Sequence, residues 1–177
     1  MIKTVNGLTI ECIKGDITRQ TDMQAVVNAA NAQLEPGGGV AGAIHKAAGE
    51  ALQKACEPLA PIEPTEAVVT EGFNLPNDYV IHCLGPVYGV NRPEDLLLRK
   101  CYDNILDAAE EKGIETVAVP ALSTGAFRYP MEEAADVAIK AVSDRARSLS
   151  HVKHLRFVLY DEKALNIHKE AMNRILD

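Results

Sequence analysis

Two glycine-rich stretches and a few scattered hydrogen-bonding side chains are the parts of this sequence that could do chemistry. Residues 37–42 read Gly-Gly-Gly-Val-Ala-Gly, and residues 123–129 read Ser-Thr-Gly-Ala-Phe-Arg-Tyr. A loop of this kind that runs into a helix presents several free N–H groups, and the helix dipole adds partial positive charge. Such loops hold phosphate without Lys or Arg, and two side by side suit a diphosphate. Three consecutive glycines are entropically unfavourable, so close approach of backbone to a ligand is a better reading than a merely flexible turn. Asp16, Asn28, Asn31 and Tyr160 add acceptors, amides and an aromatic face. His82 and Cys83 would make a Cys–His nucleophile if they could meet. Neighbours on a strand point to opposite faces, however, so His82 reads as structural. His45 reads equally as a packed or solvent-facing histidine and as a ligand contact.

Several chemistries are excluded. The run 37–42 formally matches G-x-G-x-x-G. In a dinucleotide-binding turn the glycines follow their strand closely, whereas here about eight loop residues intervene. Glu57 lies near the expected distance for a ribose-binding acid but falls at a helix end before Pro58. A nicotinamide-dependent dehydrogenase is therefore the weakest reading. No Gly-Lys-Ser/Thr follows the glycines, which removes a P-loop. Cys12, Cys56, Cys83 and Cys101 form no C-x-x-C pair, so free thiols are expected, with no metal site and no cofactor. The net charge of −7 argues against bulk nucleic-acid binding, which needs a dense basic face. No signal-peptide pattern and no membrane-length apolar run occurs, so the expectation is a soluble cytoplasmic protein.

The elements that must position these residues follow from periodicity. Residues 8–14 alternate as a strand, and Asn6-Gly7 before them reads as a hairpin turn from a short first strand. Asp16 could cap a helical turn over 17–20. Residues 24–29 form a buried strand, and helical spacing then runs from Val40 to about Cys56. Residues 57–66 carry three prolines and read as a loop. Residues 67–72 and 79–84 read as strands joined by a turn at 74–78. A helix is expected over 94–112, stopped by Gly113, and a strand over 115–122. Pro130 suits the first position of a helix reaching about Leu149. Residues 155–160 read as the last strand and 161–176 as the last helix. Strands alternating with helices, in 177 residues that are 47% apolar, imply one α/β domain over 1–177 with a mixed, mostly parallel sheet. Ligands then bind beyond the carboxyl ends of the strands. Those ends are residues 15–17, 28–39, 122–129 and 160–161.

Taken in order, Gly15-Asp16-Ile17-Thr18, Val27-Asn28-Ala29-Ala30-Asn31, Gly37 to Gly42 with Ala43-Ile44-His45, Ser123-Thr124-Gly125-Ala126-Phe127 and Val158-Leu159-Tyr160-Asp161 resemble the macro domain family, close to its MacroD-like and archaeal groups. The resemblance covers essentially the whole chain. It implies a three-layer α/β/α sandwich around about six strands, and a ligand, ADP-ribose, free or carried by an ADP-ribosylated protein. It implies that Asp16 accepts from the adenine amine, that Ile17 supports the base, and that Tyr160 stacks on or edges it. A helix cap for Asp16 and a core aromatic for Tyr160 are the plainer alternatives. Asn31 would bond the distal ribose, and Asn28 would do so or simply tie down the loop. Gly38, Gly39 and Val40 would line the distal ribose and phosphate. Ser123, Thr124, Gly125 and Ala126 would wrap the diphosphate, and Phe127 would pack against the distal ribose.

The resemblance further implies hydrolysis of ADP-ribosyl esters, on mono-ADP-ribosylated protein or O-acetyl-ADP-ribose, with Asn31, Gly38 and Gly39 positioning the ribose. Many MacroD-like hydrolases carry an aspartate in Gly-Gly-Val-Asp-Gly, proposed to activate water; here Ala41 stands in its place. Turnover is therefore expected to be slow, and a non-catalytic ADP-ribose reader is the alternative. Arg128 replaces a glycine usual in the second loop, and the sequence leaves its direction open.

Overall fold

The computed structural model describes residues 1–176. Seven strands, β1 (Ile2–Val5), β2 (Leu8–Lys14), β3 (Ala25–Ala29), β4 (Ala67–Glu71), β5 (Tyr79–Cys83), β6 (Thr116–Val119) and β7 (His154–Leu159), form one sheet in the order β1-β2-β7-β6-β3-β5-β4. The five inner strands are parallel, and β1 and β4 pair antiparallel at the two edges. The sheet thus has one strand more than the six expected, within the expected mixed, mostly parallel class. Asn6 and Gly7 both take positive φ, 48° and 87°, the twist that a tight β1–β2 hairpin requires.

Helices α1 (Gly39–Ala48) and α2 (Glu50–Cys56) pack on one face, and α3 (Glu94–Glu111), α4 (Met131–Arg145) and α5 (Glu162–Ile175) on the other. Each face has its own apolar core. Ile44, Leu52, Val26 and Val80 anchor the first, and Tyr102, Ile105, Ile139 and Phe157 the second. Sheet alternation decides which core a strand residue joins: Val26 and Val80 go one way, Ala25, Val27 and Ile81 the other. Among the described residues no helix is long and apolar enough to cross a membrane.

Three local expectations are corrected. The helix expected from Val40 to Cys56 is two helices, because Gly49 sits at φ 89° and the Ala48 carbonyl accepts from Asn74 N–H. The apolar spacing continues across the break, so periodicity alone could not reveal it. Pro130 is the residue before α4 rather than its first, with φ −59° and ψ 130°. Residues 57–59 form a 3-10 turn inside the expected loop. The stop at Gly113 is as expected: Gly113 N–H donates to Glu110 O and Ile114 N–H to Ala109 O, the paired bonds of a glycine-terminated helix.

Candidate functional site

The carboxyl ends of the five parallel strands lie on one rim of the sheet, and the strand order places the loops that follow them. Lys14 pairs with Leu159, and Gly15 N–H donates to the Leu159 carbonyl at 3.0 Å. Asp16 and Tyr160, more than 140 positions apart in the chain, are therefore brought to adjacent strand ends. β3 and β6 also neighbour each other, but they pair only at Ala25↔Val117 and Val26↔Ala118. Beyond that β3 follows β5, through Ala29↔Cys83, and β6 follows β7. The two strands separate toward their carboxyl ends. Their connections also diverge, β3 leading through α1 and α2 to β4 and β6 through α4 to β7. This is the topological switch point at which open α/β sheets bind ligands.

Both glycine-rich loops leave from this gap. After β3, the Asn31 side chain accepts from Glu35 N–H at 3.0 Å and donates to the Glu35 carbonyl at 2.8 Å, which fixes the start of the loop. A Cβ on Gly37 would lie 3.4 Å from the Asn31 amide nitrogen, and a Cβ on Gly42 would collide with the Gly37 carbonyl. The loop therefore folds back onto the first turn of α1. Gly38 precedes that helix with no side-chain cap. The N–H groups of Gly39, Val40 and Ala41 have no acceptor among the described residues, as expected of an open helix start.

After β6, the second loop is pinned by Tyr129 N–H on the Ser123 carbonyl at 2.9 Å and Arg128 N–H on the Gly125 carbonyl at 3.0 Å. The N–H groups of Gly125, Ala126 and Phe127 have no acceptor among the described residues. Ser123 is buried, its hydroxyl turned toward Gly85, where any Cβ would meet it. The Thr124 hydroxyl donates to Ala121 O at 2.7 Å. Around Gly125 the loop therefore offers mainly backbone, with the exposed Ala126 and Arg128 side chains beside it. Ile17, Val40 and Phe127 all pack on the apolar core beneath α1.

A family profile described as Macro domain matches residues 27–138. A macro domain-containing protein of Lactiplantibacillus plantarum is 44% identical over 165 residues, which span 92% of this chain and 95% of that protein. This chain belongs to the macro domain family. In three dimensions it is similar to the Oceanobacillus iheyensis macrodomain with ADP, at a TM-score of 0.94 and 34% identity over 99% of this chain and 96% of that one. It is also similar to the Trypanosoma brucei macrodomain in complex with ADP-ribose, at 0.84 and 31% over 92% and 68%.

On this macro domain the two ends of the cleft differ in chemistry. Asp16 does cap a turn: one carboxylate oxygen accepts from Thr18 N–H at 2.9 Å and from the Thr18 hydroxyl at 2.7 Å. These bonds, the hydroxyl's first, hold its pKa below the usual carboxylate value. Among the described residues the other oxygen meets only Arg19, at 3.6 Å. Tyr160 is 91% exposed, which removes the core-aromatic alternative. A cap on Asp16 is compatible with ligand binding because it uses one oxygen of two.

Asn28 does not reach the surface. It is buried and its amide meets His82 Nδ1 at 3.0 Å, while His82 Nε2 lies 2.9 Å from the Thr70 hydroxyl. Burial holds the His82 imidazole neutral, its pKa down to about 3. Cys83 faces the other core and packs on Cys101, so it makes no pair with His82. The cysteine that meets His82 is the buried Cys56, its Sγ 3.8 Å from Nε2, and burial pushes that thiol's pKa up rather than activating it. His45 is buried in α1 with its ring 6.5 Å from that of His82, and it faces the protein interior rather than the cleft. All four cysteines are buried and unbridged.

The loop after β5, whose strand end 80–86 also resembles the family but takes no ligand role from the sequence, reaches this rim as well. Tyr88 N–H donates to the Phe127 carbonyl at 2.9 Å, so this loop borders the second glycine-rich loop. The signal available was Gly85-Pro86 directly after a parallel strand.

Arg128 takes φ +66°, which is the physical reason a glycine suits that position. Arg128→Gly should raise stability by about 0.5–1 kcal/mol, the strain relieved less the unfolded-state entropy gained. Denaturant melts at unchanged m-value would measure it, and a loss of stability would show that the arginine side chain contributes more than its backbone strain removes.

A second concavity, lined by Asp22, Gln24, Asp78 and Glu115 among others, sits at the amino ends of the strands. Its three carboxylates and lack of a glycine-rich loop make it unsuited to a phosphate.

Proposed function

We propose that this macro domain binds ADP-ribose across the gap between β3 and β6 and slowly hydrolyses ADP-ribosyl esters there. The observation that carries the reading is the pairing of two uncommitted backbone N–H clusters, at 39–41 and 125–127, across strands that separate at their carboxyl ends. The first cluster, at the start of α1, takes the phosphate nearer the distal ribose, and the second wraps the diphosphate. This uses no basic side chain, which is how a chain of net charge −7 accepts a dianion. The adenine lies at the β2/β7 end between Asp16 and Tyr160, over Ile17. The distal ribose lies at the α1 end, where Asn31 keeps one amide hydrogen and one lone pair free for hydroxyls and Phe127 packs beside it. The relatives' complexes with ADP and ADP-ribose support this choice of ligand.

For the chemical step, Asn31, Gly38 and Gly39 hold the ribose in place while the N–H clusters fix the diphosphate. A phosphate oxygen of the ligand then orients the attacking water. Ala41 is buried in the first turn of α1 and supplies no base, so turnover is sluggish. That same alanine favours the second reading, a reader that binds and does not cleave.

Calorimetry tests the binding. ADP-ribose should bind in the micromolar range, about −8 kcal/mol, and AMP more weakly because it leaves the α1 end unused. No heat and no thermal shift at millimolar ADP-ribose would defeat the proposal. At the adenine end, Asp16→Ala should weaken binding by about 1.5–3 kcal/mol. An analogue lacking the exocyclic amine should lose much less in the same variant. Equal losses for both ligands would show that Asp16 does not contact the amine.

A further inference from the structure

Beside the second glycine-rich loop, the first turns of α3 and α4 and the loop after β5 enclose a concavity. It is lined by Tyr88, Glu94, Asp95, Tyr129, Glu133 and Val137. Acidic residues in a first turn are ordinary, since they complement the helix dipole. Two helix starts contribute about +0.5 charge each, however, against the three carboxylates here, so the concavity stays strongly negative.

A second observation is independent of the charge. Tyr129 is only 4% exposed, lines this concavity, and its phenolic oxygen has no hydrogen-bond partner among the described residues. Burial, then Asp95 and Glu133, push its pKa up to about 12, so it stays a neutral phenol in a negative field. Tyr88 meets it edge-on, ring centroids 5.0 Å apart, and remains 37% exposed. The Tyr88 hydroxyl lies 3.5 Å from Glu133 Oε2, and Glu94 Oε2 accepts from Gly89 N–H at 3.1 Å. Arg92, the cation felt by Tyr88, is held on the Gly89 carbonyl at 3.3 Å and is not part of the lining.

Aromatic faces, an uncommitted phenol and spread carboxylates suit an organic cation. They do not suit a metal ion, because among the described residues no three acidic, His or Cys side chains come close enough to share one. The Tyr88–Phe127 hydrogen bond places this concavity next to the end of the cleft assigned above to the distal ribose, from which anything attached to ADP-ribose must depart.

We infer that this concavity is a subsite for a Lys or Arg side chain of the polypeptide that carries the ADP-ribose, a statement that rests on the ligand proposed above. The side chain's cation lies over Tyr88 between Glu94, Asp95 and Glu133, and Tyr129 accepts from it.

The test uses peptides carrying ADP-ribose through a non-hydrolysable linkage, with one Lys scanned through the three positions on either side, against an all-Gln peptide. At least one Lys register should bind about 10-fold tighter, or about 1.4 kcal/mol, and the advantage should shrink with added salt. The combined variant Glu94→Gln, Asp95→Asn, Glu133→Gln should lose that advantage and keep the wild-type affinity for free ADP-ribose. Tyr129→Phe, which preserves packing, should lose part of it. No Lys register better than the Gln peptide, or an advantage that survives in the triple variant, overturns the subsite. In parallel, N-acetyl-lysine amide alone is titrated while tyrosine ring signals are followed by NMR. Ring shifts at Tyr88 and Tyr129 in a protein that fails to bind ADP-ribose would keep the cation site but overturn its assignment to an ADP-ribosylated carrier. Absence of shifts at millimolar amide, with ADP-ribose bound normally, would count against the site and leave the ligand proposal standing.

Discussion

Gly125→Val is expected to abolish ADP-ribose binding without disturbing the fold. A Cβ built on Gly125 meets no atom within 4 Å, and its φ lies outside the left-handed region, so the protein itself accepts a side chain there. The diphosphate is proposed to lie against the 125–127 N–H groups, so a valine within this cluster is expected to compete with it for space. Gly38→Glu is the matching change at the other cluster. Gly38 is extended, at φ −83° and ψ 178°, and its Cβ also points into open space, where a carboxylate would repel phosphate. Each variant should lose at least about 100-fold in affinity, or about 2.7 kcal/mol, with an unchanged melting temperature. Gly39 is a poorer choice, since its φ of +58° would mix backbone strain with ligand exclusion. Calorimetry beside a thermal melt checks the pair. Retained binding in a folded Gly125→Val protein would mean that the ligand lies elsewhere.

The second large effect is expected at Ala41. Ala41→Asp should raise release of ADP-ribose from an ester-linked protein substrate by as much as about 10²–10⁴-fold, the usual contribution of a positioned general base. Position 41 lies in the first turn of α1, where the helix dipole favours a carboxylate by about 0.3–1 kcal/mol. Ala41 is buried, however, and desolvation of the new charge opposes that gain, so the melting temperature of this variant must be measured beside its rate. Asn31→Ala should work in the opposite direction and remove most of the wild-type rate by misplacing the ribose. Because Asn31 also holds Glu35, its melting temperature must be measured with its activity. Wild-type release no faster than buffer, with micromolar binding intact, would leave the reader module and end the hydrolase reading. Full activity in Asn31→Ala would place the chemistry elsewhere in the cleft.

The two predictions rest on different levels of organisation. The sequence by itself determined the layer pattern, because strand and helix periodicities differ and the chain alternates them cleanly. It also determined the terminators that are local in origin, Asn6-Gly7 and Gly113, since a positive φ is a property of the residue and its neighbours. The two glycine-rich loops were legible for the same reason: a backbone that must approach a ligand needs residues without side chains, wherever they fall in the fold.

Tertiary structure decided everything that depends on which strands are neighbours. That Asp16 and Tyr160 share one end of the cleft follows from β2 lying beside β7, a pairing that no local pattern announces. The gap between β3 and β6 exists because each strand keeps a different partner after two paired residues. Burial also settled the ambiguous side chains. Asn28 and His45 turned inward and Tyr160 outward, although each was read from the sequence as open to either fate. A polar residue at a strand end or on a helix can satisfy its hydrogen bonds with protein or with ligand, and only the packed neighbours determine which.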